Sequence, residues 1–154
     1  VTAYLSTEGS RKLIRIVVVD DYAAWRDYAR SALEKEPRFQ IVAAASDGLQ
    51  AVQRAQELQS DLVIMDVGLP NLNGIEAARR ILQLVPQTKV LFLSDHSSPD
   101  IVQEALNTGA NGYVLKSCAE SELLAAAKAV LAGQIFISQV LADRLAPTRA
   151  FSHD

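Results

Sequence analysis

Five short apolar runs recur along the chain: residues 14–19 (IRIVVV), 41–45 (IVAAA), 62–65 (LVIM), 89–93 (KVLFL) and 112–115 (GYVL). Their length and lack of polar alternation predict strands buried on both faces. The longer segments between them carry apolar residues at helical spacing. Trp25, Tyr28, Ala29, Ala32 and Leu33 mark the first helix, and Val52, Ala55 and Leu58 the second. Ile75, Ala78, Ile81, Leu82 and Val85 mark the third, Ile101, Val102, Ala105 and Leu106 the fourth, and Leu123, Leu124, Ala127, Val130 and Leu131 the fifth.

Start and stop residues fit these boundaries. Ser98-Pro99 has the form of an N-cap and first helical position, and Asn107-Thr108-Gly109 ends the fourth helix. Ser117 and Glu120 have the spacing of a capping box, and Gly133 stops the fifth helix. Strict alternation of strand and helix predicts a (βα)5 chain with right-handed crossovers and helices on both faces. The fold class is therefore α/β, a doubly wound parallel five-stranded sheet of the flavodoxin-like plan.

The ends depart from this alternation and divide the chain into three parts. Residues 1–12 are polar and aperiodic, and read as a disordered, added or trimmed N-terminal segment. Residues 13–133 form the folded domain. Residues 134–154 hold one short amphipathic stretch before Pro147, read as a docking segment leading into a linker. At 154 residues and 49% hydrophobic, the chain has material for one well-packed core. Fifteen basic against eighteen acidic residues, interspersed, give a net charge of −3 and no basic face for nucleic acid. No apolar stretch reaches the roughly 18 to 20 residues that span a bilayer, so a cytoplasmic location is expected. The single Cys118 is read as a small packing residue.

Four of the five strands stop on residues suited to phosphate and metal chemistry: Asp20-Asp21, Asp66, Ser94 and Lys116. In an open parallel sheet, groups beyond the carboxyl ends of the strands converge on one crevice. Three carboxylates there repel one another unless a cation is present, and Mg2+ prefers such oxygen ligands. Lys116 and Ser94 add a positive charge and a hydroxyl directed at a group on Asp66. That set suits phosphoryl transfer to a carboxylate nucleophile.

Asp20-Asp21, the run Asp66-Val-Gly-Leu-Pro-Asn-Leu-Asn-Gly74, Ser94, and Gly109-Ala-Asn-Gly-Tyr-Val-Leu-Lys116 resemble the receiver domain of bacterial two-component response regulators. The GANGYVLKS and GQIFIS segments are most similar to the NarL/FixJ subfamily. The resemblance implies that Asp66 accepts a phosphoryl group from a sensor histidine kinase. It also implies that Asp21, Asp66 and the Gly68 backbone carbonyl bind Mg2+, with Asp20 acting largely through water. Ser94 and Tyr113 match the switch pair, in which Ser94 contacts the phosphoryl group and Tyr113 turns inward behind it. The implied outcome is a repacked face that controls homodimerisation or partner choice. Self-phosphorylation and slow autodephosphorylation are implied, not multiple turnover. The implied output is transcriptional, through a DNA-binding helix-turn-helix domain absent from this chain; no nucleic acid or membrane is expected to bind this fragment.

Asp95 directly follows Ser94, where the family usually has a small or apolar residue, and Ser117 stands where many members have proline. His96 is read as an ordinary loop histidine, since no His or Cys partner is nearby in sequence. Trp25 and Tyr28 are read as packing residues, with partial exposure at a dimer surface as the other option. Two further function classes remain at this point. An aspartate phosphatase generally needs a second acid two residues after its nucleophile, where Gly68 stands, and a substrate cap for which no insertion is long enough. A pseudo-receiver or single-domain adapter would act by protein contact without being phosphorylated.

Overall fold

The computed structural model describes residues 12–145; the readings for residues 1–11 and for the tail from 146 onward, Pro147 included, lie outside the described residues. The elements are β1 (Ile14–Val19), α1 (Ala23–Leu33), β2 (Phe39–Ala45), α2 (Gly48–Leu58), β3 (Leu62–Met65) and α3 (Gly74–Leu84). They continue as β4 (Lys89–Ser94), α4 (Pro99–Leu106), β5 (Gly112–Leu115), α5 (Ala119–Leu131) and β6 (Phe136–Ile137). Residues 139–145 are helical. All five expected strands are present, and the doubly wound parallel plan holds.

Among the described residues the sheet has six strands instead of five, in the order β2-β1-β3-β4-β5-β6, every neighbouring pair parallel. β6 comes from the segment read as a docking extension: Phe136 and Ile137 pair with Gly112 and Tyr113. Two residues are too few to carry a periodic signal of their own. The residues after them stay attached: Ser138 N donates to the Tyr113 carbonyl, Leu115 N to Ser138 Oγ, and Gln139 N to Glu122. Leu141 is buried in the core.

Strands buried on both faces require two cores. One lies under α2, α3 and α4, where Ala51, Ala55, Ile75, Ala78, Val102 and Ala105 meet Val17, Val63 and Phe92. The other lies under α1 and α5, where Ala29, Leu33, Leu123 and Ala127 meet Ile16, Ile64 and Leu91. Alternate residues of each central strand serve opposite cores, as the period of two demands.

The helix starts follow the capping pattern of the sequence only in part. Pro99 does occupy the first turn of α4 after Ser98, although the Ser98 hydroxyl makes no capping bond. The capping box at Ser117 and Glu120 does not form. Residues Lys116–Cys118 make a 3-10 turn, which moves the start of α5 to Ala119 and its N-cap to Cys118. Ser117 thus lies outside the cap position. The side-chain caps that do form are Asp47 on Gln50 N and Asn73 on Glu76 N. Gly109 and Gly133 end their helices with φ of +97° and +88°, a conformation glycine adopts without strain. Cys118 is half-buried and packs against the first core, in keeping with a packing role.

Candidate functional site

Strand order reverses between β1 and β3, since the chain leaves β1 for one side of the sheet and returns on the other. A crevice opens at such a point beyond the carboxyl ends of the strands. Asp20 leaves β1 into it and Asp66 leaves β3, with β1 and β3 in register from Ile16–Leu62 to Val19–Met65. Asp66 N donates to the Val19 carbonyl, which extends that register by one residue and locks the two acids side by side.

Lys116 reaches the same point from the end of β5. Its Nζ lies 2.8 Å from Asp20 Oδ2 and 3.0 Å from Asp66 Oδ2, with the lysine side chain 3% exposed. Asp20 Oδ1 accepts from Tyr22 N at 2.9 Å and Asp66 Oδ1 from Val67 N at 2.7 Å. Asp21 is exposed, yet it offers a carboxylate oxygen within 4.8 Å of one from Asp20 and one from Asp66. The sequence-predicted carboxylates and amine therefore do meet.

Electrostatics here are unbalanced. Burial raises the Asp20 carboxyl above its ordinary range; hydrogen bonds from Lys116 and Tyr22 N pull it back only in part, and the charge of Asp66 adds to the rise. Burial acts to lower Lys116, but its bonds to Asp20 and Asp66 outweigh that and hold the ammonium above the usual lysine value. One ammonium thus faces three clustered carboxylates. A hard divalent cation with oxygen ligands fits that donor set and removes the remaining repulsion. By contrast, the exposed Glu76 pairs with Arg79 and Arg80 contribute little.

The loop after Asp66 is held by backbone fit. A Cβ on Gly74 would stand 1.9 Å from the Asp66 carbonyl oxygen, and one on Gly48 1.9 Å from that of Leu72. Asn71, at φ 67°, donates to Asp47 at 2.8 Å and ties the same loop to α2. The Gln50 amide and then Asn71 hold the Asp47 carboxyl below its ordinary range. Gly74→Ala is accordingly expected to cost about 2–4 kcal/mol of stability, because backbone must move at both Asp66 and α3. A denaturant melt beside Ala77→Gly, an ordinary helix-interior change, checks this.

Ser94 ends β4, the neighbour of the strand that carries Asp66, and Tyr113 lies on β5, one strand further out. Ser94 is fully buried, its Oγ accepting from His96 N at 3.1 Å. Tyr113 is also fully buried, already turned inward, and its Oη donates to the His96 carbonyl at 2.7 Å. Burial raises its phenol; Ser94 offsets part of this, while Asp66 and Asp95 add to it. His96 joins the pair through its backbone, so its imidazole needs no special role. Its side chain stands by Gly68, where an added Cβ would be 3.4 Å from Nε2. Asp95 is exposed and lines a cleft of about 240 Å³ together with Lys116 and Arg144. The Lys116-Ser117 peptide bond is trans, as are the others among the described residues.

The Asp47–Asn71 tie carries no signal in the sequence, nor does the Trp25 indole, which lies under Lys116 with its centroid 4.9 Å from Nζ. Both join residues distant along the chain, and no local spacing signals them.

A doubly wound sheet that gathers an acid pair, a lone strand-end aspartate and a buried lysine at its switch point defines an α/β module suited to handling phosphate and a divalent cation. The chain belongs to the response regulator receiver domain family, which matches residues 16–128. It is 39% identical over 124 residues to the transcriptional regulatory protein DegU of Brevibacillus brevis, covering 80% of this chain and 52% of that protein. It is 40% identical over 131 residues to the transcriptional activator protein ExaE of Pseudomonas putida, covering 85% and 61%. The crystal structure of a LuxR-family two-component response regulator from Aurantimonas sp. SI85-9A1 superposes with a TM-score of 0.86 at 35% identity, covering 90% of this chain and 99% of that one. The chain spans little more than half the length of the two curated regulators. A protein-glutamate methylesterase/protein-glutamine glutaminase of Thermotoga maritima is 39% identical over 107 residues, so related receivers also sit in enzymes. Among the described residues, no helix is long and apolar enough to cross a membrane.

Proposed function

We propose that this receiver takes a phosphoryl group onto Asp66 from the phosphohistidine of a sensor histidine kinase. A phosphorus–oxygen bond forms at the carboxylate as the phosphorus–nitrogen bond to imidazole breaks. The observation that carries the reading is Lys116, buried and bonded to both Asp20 and Asp66, which fixes a positive charge where negative charge gathers during transfer. Asp20, Asp21 and Asp66, with the Gly68 carbonyl, would hold Mg2+, which would supply further charge neutralisation on the transferring group. Ser94 and Tyr113 would read the product: Ser94 donates its hydroxyl to the phosphoryl oxygens, and the inward Tyr113 follows the loop through His96.

The domain would act as a switch with slow self-hydrolysis, not as a turnover enzyme. It acts in the cytoplasm and changes a homodimer or partner surface. Residues 134–154 would lead to a DNA-binding domain, as the transcriptional relatives suggest. Incubation with acetyl phosphate and Mg2+ tests this. A single acid-stable phosphoryl mass increment on Asp66 is expected. No adduct would indicate a pseudo-receiver, and rapid release of many equivalents of phosphate a hydrolase.

Asp95 should tune the rate. An exposed carboxylate beside the entrance repels an anionic phosphodonor, an effect worth up to about 1 kcal/mol in water and screened by salt. Asp95→Ala is expected to speed phosphorylation by acetyl phosphate roughly two- to fivefold at low salt. Unchanged phosphorylation and dephosphorylation rates would remove any role for this residue.

A further inference from the structure

We propose that Trp25 is a positioning residue for phosphoryl transfer, its indole face acting as the fixed seat of the Lys116 ammonium. This rests on the phosphoacceptor reading given above. Lys116 has three near partners: Asp20 Oδ2 at 2.8 Å, Asp66 Oδ2 at 3.0 Å and the Trp25 ring at 4.9 Å from its centroid. That ring distance lies within the range of a cation–π contact, which strengthens when the cation is desolvated, as Lys116 is.

The three partners differ in what transfer does to them. Asp66 gives up its carboxylate form when it becomes an acyl phosphate, and Asp20 and Asp66 are both shared with the candidate cation site. The indole keeps its charge distribution through all of these states. It is thus the one partner able to hold a flexible four-carbon side chain in the same place before and after reaction. Holding a charge in place beforehand spares reorganisation at the moment of transfer.

The indole is itself well fixed. Tyr22 N donates to Asp20 Oδ1, and the Arg26 guanidinium donates to the Asp20 carbonyl at 2.7 Å, so the first turn of α1 is tied to the end of β1 on both sides of Trp25. Tyr28 packs edge-on against the indole, with centroids 5.4 Å apart and planes at 76°. Trp25 is half-buried and packs against the second core, and the same ring also faces the Lys116 ammonium.

Trp25→Phe keeps a π face and Trp25→Leu keeps only apolar bulk, so the pair separates seating from packing. Two readouts apply to each folded variant: the initial rate of Asp66 phosphorylation by acetyl phosphate with Mg2+, and the water-exchange rate of the Lys116 ammonium protons by nitrogen-15 NMR without phosphodonor. Trp25→Leu is expected to slow phosphorylation and to speed ammonium exchange by roughly three- to tenfold each. Trp25→Phe should stay within about twofold of wild type in both, given the weaker but retained π face. Wild-type values in Trp25→Leu, or equal damage in both variants, would overturn the proposal. A wild type that takes no phosphoryl group would refute the phosphoacceptor reading, whereas the exchange measurement would still decide whether Trp25 seats Lys116.

Discussion

Lys116→Met is expected to abolish measurable phosphorylation of Asp66 and to destabilise the fold by about 3–5 kcal/mol, the usual cost of removing one partner from a buried ion pair. The magnitude follows from what remains. Asp20 and Asp66 are buried and close together, and without the ammonium each keeps only one backbone N–H as a donor. Burial and the charge of Asp66 then push Asp20 further toward protonation, with the opposing bond from Lys116 gone. The loss should shrink when Mg2+ is added, since a divalent cation replaces the missing positive charge. It should also depend on pH. The folded-state value of Lys116 is raised, so its contribution is complete at neutral pH and fades only as pH climbs through and beyond the ordinary lysine range. Melts of wild type and variant at neutral and strongly alkaline pH should therefore converge at the alkaline end; a gap of constant size would show that the contribution is packing alone.

Asp66→Asn is expected to remove the phosphoryl adduct entirely while leaving the fold nearly intact. An amide is no nucleophile for phosphoryl transfer; its single oxygen still accepts from Val67 N, while Lys116 loses its bond to residue 66 and keeps the one to Asp20. Eliminating one of three mutually repelling carboxylates also relieves Asp20, whose rise is due in part to Asp66. Stability without metal should thus change by less than about 1 kcal/mol. The thermal upshift produced by Mg2+ should fall sharply, because a ligand is lost. Mass spectrometry after acetyl phosphate treatment and melts with and without Mg2+ check both halves. An adduct that persists in Asp66→Asn would place the acceptor elsewhere.

These two outcomes depend on a site whose outline lay open in the sequence. Buried parallel strands are short, uniformly apolar and closed by turn residues, so β1, β3, β4 and β5 could be delimited to within a residue, and their terminal residues named. Convergence of Asp20, Asp66 and Lys116 then followed from topology alone. What escaped was of two kinds. β6 and the start of α5 are set by tertiary demands: Phe136-Ile137 is a strand only because β5 lies beside it, and the 3-10 turn at Lys116–Cys118 displaces the cap that Ser117 and Glu120 would otherwise make. The Trp25–Lys116 and Asp47–Asn71 contacts join residues 91 and 24 positions apart, where no periodicity operates.

The short pairing of Phe136 and Ile137 has a consequence for where the cooperative unit ends. β5 is four residues long and mostly apolar, and without β6 it would present bare amides and carbonyls along the flank of the sheet, a template for pairing with other chains. β6 and the helical segment at 139–145 cover that flank, with Ser138 and Glu122 as the fastening. The segment after α5 thus closes the β5 edge, and a fragment cut at Gly133 is expected to lay that edge open to strand pairing and to aggregate more readily than the chain that keeps β6.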